Sequence, residues 1–124
     1  MKIPLNELQA VDDLIAHFSS IPPKRWTMGV LADGKGARCA LGHLCDARLS
    51  ANTPRSLAYS ALRDRFLPGI TLMAVNDAWP PGEEFPYLQP TPKERSLAYL
   101  ADLRAAVVKA HPEQVKAAAP EVRA

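Results

Sequence analysis

The chain has 124 residues, the length of one domain, with 48% hydrophobic and 23% charged residues, which excludes a disordered, collagen-like or membrane-spanning class. Its net charge of +2 is unevenly spread: residues 24–65 carry eight Lys and Arg against three acids, while the segments on either side balance to −2 and −1. Two cysteines in a chain this long do not make a disulfide framework, and free thiols fit a reducing compartment. The first twenty residues lack an uninterrupted apolar stretch of signal-peptide type, so the expectation is a cytoplasmic protein with no membrane segment.

In chain order, Leu8, Val11, Ile15 and Phe18 recur at helical spacing and predict a helix over 6–19. Asn6 stands where a cap belongs, and Gln9 three residues later completes a capping box. Pro22 and Pro23 stop that helix, because proline lacks an N–H and clashes with the preceding turn. The stretch from Trp26 to Cys39 reads as a short hairpin turning at Asp33-Gly34. A second helix follows from Arg38 or Cys39 to Leu49, and a third from Thr53 to Phe66 with Pro54 in its first turn. Ile70 to Val75 is an apolar run that periodicity assigns equally to strand or buried helix. A Pro-rich loop leads to a last helix that begins at Thr91, with Pro92 behind it and Glu94 at the third position, and ends before Pro112. The pentapeptide "RSLAY" occurs at 55–59 and at 95–99; two copies are too few for a repeat architecture, and coincidence is the preferred reading. The fold class is therefore mainly α, a single small domain of four to five helices over 1–112 with at most one short β-hairpin, followed by a flexible tail over 113–124.

The stretch "RCALGHLC", 38–45, concentrates the reactive side-chain types. On a helix at about 100° per residue, Leu41, Leu44, Cys45 and Leu49 share one side, while Cys39, His43 and Asp46 share another. Cys45 is then expected in the core and Cys39 nearer solvent. A thiolate at Cys39, beside Arg38 at a helix start with His43 one turn on as base, is one chemical reading, with Asp46 or a distant Asp77 as orienting carboxylate. The preferred reading is structural, because nucleophile and base normally come from separate segments. On that view His43 and Asp46 face solvent, and replacing His43 with Ala should change stability little.

A metal site finds weaker support. Cys39 and His43 offer two ligands, a closed zinc site needs four, and His17 and His111 would have to converge on them. No cofactor motif stands up: "GVLADGKGA" lacks both the spacing and the Lys-Ser/Thr ending of a phosphate loop. Trp26, Trp79 and Phe85 are candidate platforms for nucleic-acid bases, with core burial as the commoner role of such rings. Lys24, Arg25, Lys35, Arg38 and Arg48 are candidates for an acidic partner or a phosphate backbone.

Three segments together resemble an uncharacterised family of small bacterial and phage-associated proteins: Trp26-Thr-Met-Gly29, Arg38-Cys39-Ala40-Leu41-Gly42-His43-Leu44, and the apolar run ending in Asn76-Asp77. The likeness spans about 26–105 and implies a shape rather than an activity. The family pattern has Ala where this chain has His43, which weakens any mechanism that needs His43 as base. It also ties Cys39, Gly42, Asn76 and Asp77 into one pattern. The leading expectation is a small non-enzymatic binding or regulatory protein, a mobile-element accessory engaging a host macromolecule through Trp26, Lys24, Arg25, Arg38, Arg48, Asn76 and Asp77. The alternatives are a cysteine-dependent hydrolase or transferase using Cys39, His43 and Asp77, and a nucleic-acid binder using the basic segment 24–65.

Overall fold

The computed structural model describes residues 6–28, 34–45, 55–69, 71–78 and 87–115. They form five α-helices and no strand: α1 (Glu7–Ser20), α2 (Ala40–Cys45), α3 (Arg55–Phe66), α4 (Leu72–Asp77) and α5 (Pro92–Ala110), with one 3-10 turn at Pro23–Arg25. No helix among them is long and apolar enough to cross a membrane.

The helix starts follow the local chemistry of the sequence. Asn6 Oδ1 accepts the Gln9 N–H at 2.8 Å, and Gln9 Oε1 accepts the Asn6 N–H at 3.0 Å, the reciprocal pairing of a capping box. Thr91 caps α5 by accepting the Glu94 N–H at 3.1 Å, while its hydroxyl donates to the Glu94 carboxylate at 2.9 Å. Pro92 then occupies the first helical position, where a missing N–H costs nothing.

The longest packed pair is α1 on α5. Lys93 at the start of α5 donates to the Ser19 carbonyl at the end of α1 (3.1 Å), and Arg104 meets Asp12 midway (2.6 Å). Gln114, just past the end of α5, accepts the Leu8 N–H at 2.9 Å. The two helices are therefore antiparallel, and the packed chain extends past the expected boundary at 112. Between them lie Leu8, Val11, Leu14 and Phe18 from α1 and Tyr99, Leu100, Leu103 and Val107 from α5, all buried. Ile15, expected inside, is only partly buried, and Leu14 takes the central place on α1. Helix α3 adds Tyr59 and Leu62. The tyrosines that end the two "RSLAY" copies meet across the core, Tyr59 Oη donating to Tyr99 Oη at 3.0 Å.

Of the hairpin expected over 26–39, residues 29–33 lie outside the described residues, and the described ones show no antiparallel pairing. Trp26 and Arg38 make a single parallel bridge, with the Arg38 N–H donating to the Arg25 carbonyl and the Thr27 N–H donating to the Arg38 carbonyl, each at 2.9 Å. Two glycines at positive φ, Gly34 (76°) and Gly36 (100°), bring the chain to that bridge; with only one pair of residues facing, no ladder follows. The ambiguous apolar run resolves as helix. Thr71 accepts the Ala74 N–H at 3.1 Å and starts α4 there, and Leu72 and Val75 go into the core.

Helix α4 also carries the main buried polar group. Asn76 is 0% exposed. Its Oδ1 accepts the Ala40 N–H at the start of α2 (2.9 Å), and its Nδ2 donates to the Thr27 carbonyl (2.9 Å) and to Asp77 Oδ1 (2.7 Å). Arg95 from α5, 5% exposed, donates to the last carbonyls of α4: Nε to Val75 at 3.0 Å and Nη2 to Asn76 at 2.6 Å. A third bond reaches the Gln89 carbonyl at 2.8 Å. Burial pushes the Arg95 pKa below its ordinary value, with Asp77 and Glu94 acting in the opposite direction. The cation remains protonated because it is met by carbonyl oxygens left over at a helix end.

Two stability outcomes follow from this geometry. Asn76→Asp keeps the acceptor for Ala40 but turns the Nδ2 donor into an oxygen facing the Thr27 carbonyl and the Asp77 carboxylate. Urea unfolding at pH 7 should show a loss of about 2–4 kcal/mol; a loss under about 0.5 kcal/mol would contradict the role given to this amide. Ala78 closes α4 in the left-handed region at φ 52°, where Cβ is strained. Ala78→Gly should raise the unfolding free energy by about 1 kcal/mol, and a destabilisation would contradict the strain.

Candidate functional site

The Pro22-Pro23 break sends the chain from the end of α1 into the 3-10 turn Pro23–Arg25, and the bridge then holds this turn beside residues 34–38. The Arg25 carbonyl is the joint: it accepts the Arg38 N–H (2.9 Å) and also His43 Nε2 (2.7 Å). Since a carbonyl only accepts, Nε2 carries the proton. His17 Nε2 in turn donates to the His43 carbonyl at 3.1 Å, tying α1 to α2.

These contacts enclose a cleft of about 290 Å³ lined by His17, Ser20, Arg25, Gly36, Arg38 and His43. A second, shallower depression adjoins it across Arg25 and Gly36 and adds Lys24 and Lys35. Neither is lined by a carboxylate among the described residues. Lys24, Arg25 and Lys35 are exposed, and Arg38 is half-buried. A Cβ on Gly36 would stand 3.9 Å from Arg25 Nη2, so the guanidinium lies over this glycine at the rim shared by both depressions. The chemistry available is recognition of anions by guanidinium and ammonium groups in a concave site.

The residues proposed for catalysis do not form an accessible catalytic set. Cys39, expected to be the more exposed thiol, is 4% exposed, and His43, expected to face solvent, is 7% exposed. The helical-phase argument gave α2 one buried face, but the 3-10 turn and Trp26 cover it from a second side. The His43 ring packs on Trp26 with centroids 4.8 Å apart. Its Nε2 is committed to the Arg25 carbonyl and is not available to a thiol. Asp77 is half-buried and accepts from its neighbour Asn76. A nucleophile must meet its substrate, so the burial of Cys39 stands against the hydrolase reading.

The binding candidates divide. Trp26 is no stacking platform: it is 8% exposed, lies edge-on to Phe18 at 5.2 Å, and donates its indole N–H to the Ile21 carbonyl at 3.3 Å. Asn76 is interior, so it positions backbone rather than touching a partner. Lys24, Arg25 and Arg38 do converge. Arg48, Asp46, Trp79 and Phe85, and the side chains of Leu41, Gly42 and Cys45, lie outside the described residues; Leu44 is in the core as expected. Among the described residues no group of three or more His, Cys, Asp or Glu is placed to hold a metal ion. Sequence reasoning passed over His17 as a cleft residue, and Arg95 altogether. Arg95 left one signal: it is a cation in the first turn of a helix, where the dipole disfavours positive charge.

Comparison with protein-family models, with curated proteins and with solved structures finds no match to this chain.

Burial lowers the His43 pKa below its ordinary value of 6.5, and His17, Arg38 and Arg25 lower it further. Above about pH 6.5 the ring is neutral in both the folded and the unfolded chain, and its protonation does not affect stability. As pH falls through that value the unfolded chain binds a proton that the folded chain does not, so stability is lost down to the lower folded pKa. His43→Gln should show a smaller drop in melting temperature between pH 7 and pH 5 than the parent. At pH 7, His43→Ala should cost about 1–3 kcal/mol, not the near-neutral change that the solvent-facing reading implies. Equal acid slopes in parent and variant would rule out the buried neutral ring.

Proposed function

We propose that this protein is a small non-enzymatic binding protein that docks an acidic macromolecule on the face formed by the 3-10 turn and residues 34–38. The observation that carries this reading is the pair of adjoining depressions lined by Lys24, Arg25, Lys35 and Arg38 without a lining carboxylate among the described residues. The burial of Cys39 and the engagement of His43 Nε2 support binding over covalent chemistry.

The resemblance to phage-associated proteins belongs to the same proposal. Its three motif segments come together here, the first pairing with the second through Trp26 and Arg38 and both held by Asn76 of the third. On this view the motif segments build the scaffold, and the basic side chains it carries, Arg38 of the second motif with Lys24, Arg25 and Lys35 outside the motifs, meet the partner. A mobile-element accessory protein acting in the host cytoplasm fits that division.

Nucleic acid is the second reading, favoured by the same cations, and salt separates it. Duplex DNA, single-stranded RNA and polyglutamate should be titrated onto the labelled protein at 50 and 200 mM salt. Binding of at least one polyanion should weaken by ten- to a thousandfold over that range, depending on the number of contacts. The double variant Lys24→Glu/Arg25→Glu should remove it with the melting temperature unchanged. If only polyglutamate binds, the partner is an acidic protein; if nothing binds at 50 mM, the docking face is refuted.

A further inference from the structure

The inner cleft is more specific than the face around it. The geometry points to a phosphomonoester site in this cleft, with His17, Arg25 and Arg38 around the phosphate and the Gly36 backbone at its wall. This rests on the docking reading above and adds the chemical group that the face recognises.

Two arginines and two histidines line one concavity of about 290 Å³, and each comes from a different segment: His17 from α1, Arg25 from the 3-10 turn, Arg38 from the bridge and the neutral His43 from α2. That volume sits at the lower end of ligand sites, enough for a phosphate and the atoms that bear it. Two guanidiniums bring two positive charges, and Arg25 sets a fork of parallel N–H donors at the rim. A phosphate dianion, with two negative charges, matches that charge and offers terminal oxygens to the fork; a single carboxylate matches half the charge. Ser20 lines the same cleft, and a hydroxyl can donate to a phosphate oxygen. Arg25 makes no ion pair with another described residue, and its guanidinium is set over Gly36 at the rim. A side chain at Gly36 would be strained there, since φ is 100°.

The walls are also fixed before any ligand arrives. Both histidines spend Nε2 on backbone carbonyls, the Arg25 and Arg38 backbones are bonded to each other, and Asn76 holds the residue two positions further on in each segment, Thr27 and Ala40. The site therefore loses little conformational freedom on binding. The cleft opens on the Lys24 and Lys35 depression, so a phosphate seated inside leaves room for further negative charge beyond the rim.

The test is an NMR titration of the 15N-labelled full chain with inorganic phosphate, with chloride and acetate controls at the same ionic strength. O-phosphoserine and 5′-AMP serve as two further arms. Saturable shifts are expected at the amides of Ser20, Gly36 and Arg38 with phosphate and not with acetate. Arg25→Gln and His17→Gln should each weaken phosphate by about tenfold or more, their melting temperatures reporting whether they fold. Lys24→Gln, on the outer depression only, should change it by less than about threefold. Tighter binding of O-phosphoserine identifies a phosphorylated protein as the source, tighter binding of 5′-AMP a nucleotide, and equal binding the free ion; all three keep the site. Shifts that never saturate, that acetate reproduces, or that survive in folded Arg25→Gln overturn it. Polyanion binding without saturable phosphate sinks the cleft and leaves the docking face standing. Saturable phosphate without polyanion binding does the reverse.

Discussion

One buried amide holds the functional half of this molecule together. Asn76 gives its oxygen to the Ala40 N–H and its nitrogen to the Thr27 carbonyl. Those two backbone groups belong to segments that have no strand partner and only one bridge between them. Without the amide, a helix start and a strand-like carbonyl would be buried without partners, each at a cost of about 1–3 kcal/mol. An asparagine suits the position because one side chain carries a donor and an acceptor at fixed separation. A carboxylate has no donor, and a hydroxyl does not span the gap between two chains.

The amide is itself held from behind. Arg95 binds the carbonyls of Val75 and Asn76 in the last turn of α4, where the Val75 oxygen otherwise receives only the long 3.4 Å bond from the Ala78 N–H. A buried cation is expensive, and here three carbonyl dipoles and the nearby Asp77 charge offset that cost. The chain of support runs from α5 through Arg95 to α4, through Asn76 to Thr27 and Ala40, and through the Arg25 carbonyl to His43. The basic cleft is at the far end of this chain. Its cations sit on short turns that would not keep a shape alone, and the polar network gives them one.

The same packing takes the thiol and the imidazole out of solvent. A helix of six residues, Ala40–Cys45, is too short to be stable alone and needs cover on more than one side. Trp26 and the 3-10 turn supply that cover, and in doing so they bury Cys39 and His43. The histidine is kept because its ring fills space against Trp26 and its Nε2–H satisfies the Arg25 carbonyl. The two groups that looked reactive in the sequence are thus buried, His43 in the wall of the basic cleft.

What the sequence determined by itself was local. The Asn6–Gln9 capping box, the Pro22-Pro23 stop and the Thr91-Pro92 start act over three or four residues, and the structure has helix ends at each of them. The mainly helical class followed from those signals together with the leucine spacing of α1 and α5. The basic candidates Lys24, Arg25 and Arg38 were also visible, because charge concentrates within one stretch of chain. Only the tertiary structure decided the rest. Leu72–Asp77 became helix because Thr71 capped it and α5 covered it. Trp26 and Arg38 pair in a parallel bridge, and Asn76, far away in sequence, takes the Thr27 carbonyl beside it. His43 and Cys39 turned inward because a second layer closed over α2. Helical phase assigns one buried face to a helix, and a residue's exposure in a small domain depends on how many neighbours pack around it, which is a sum over contacts distant in the chain.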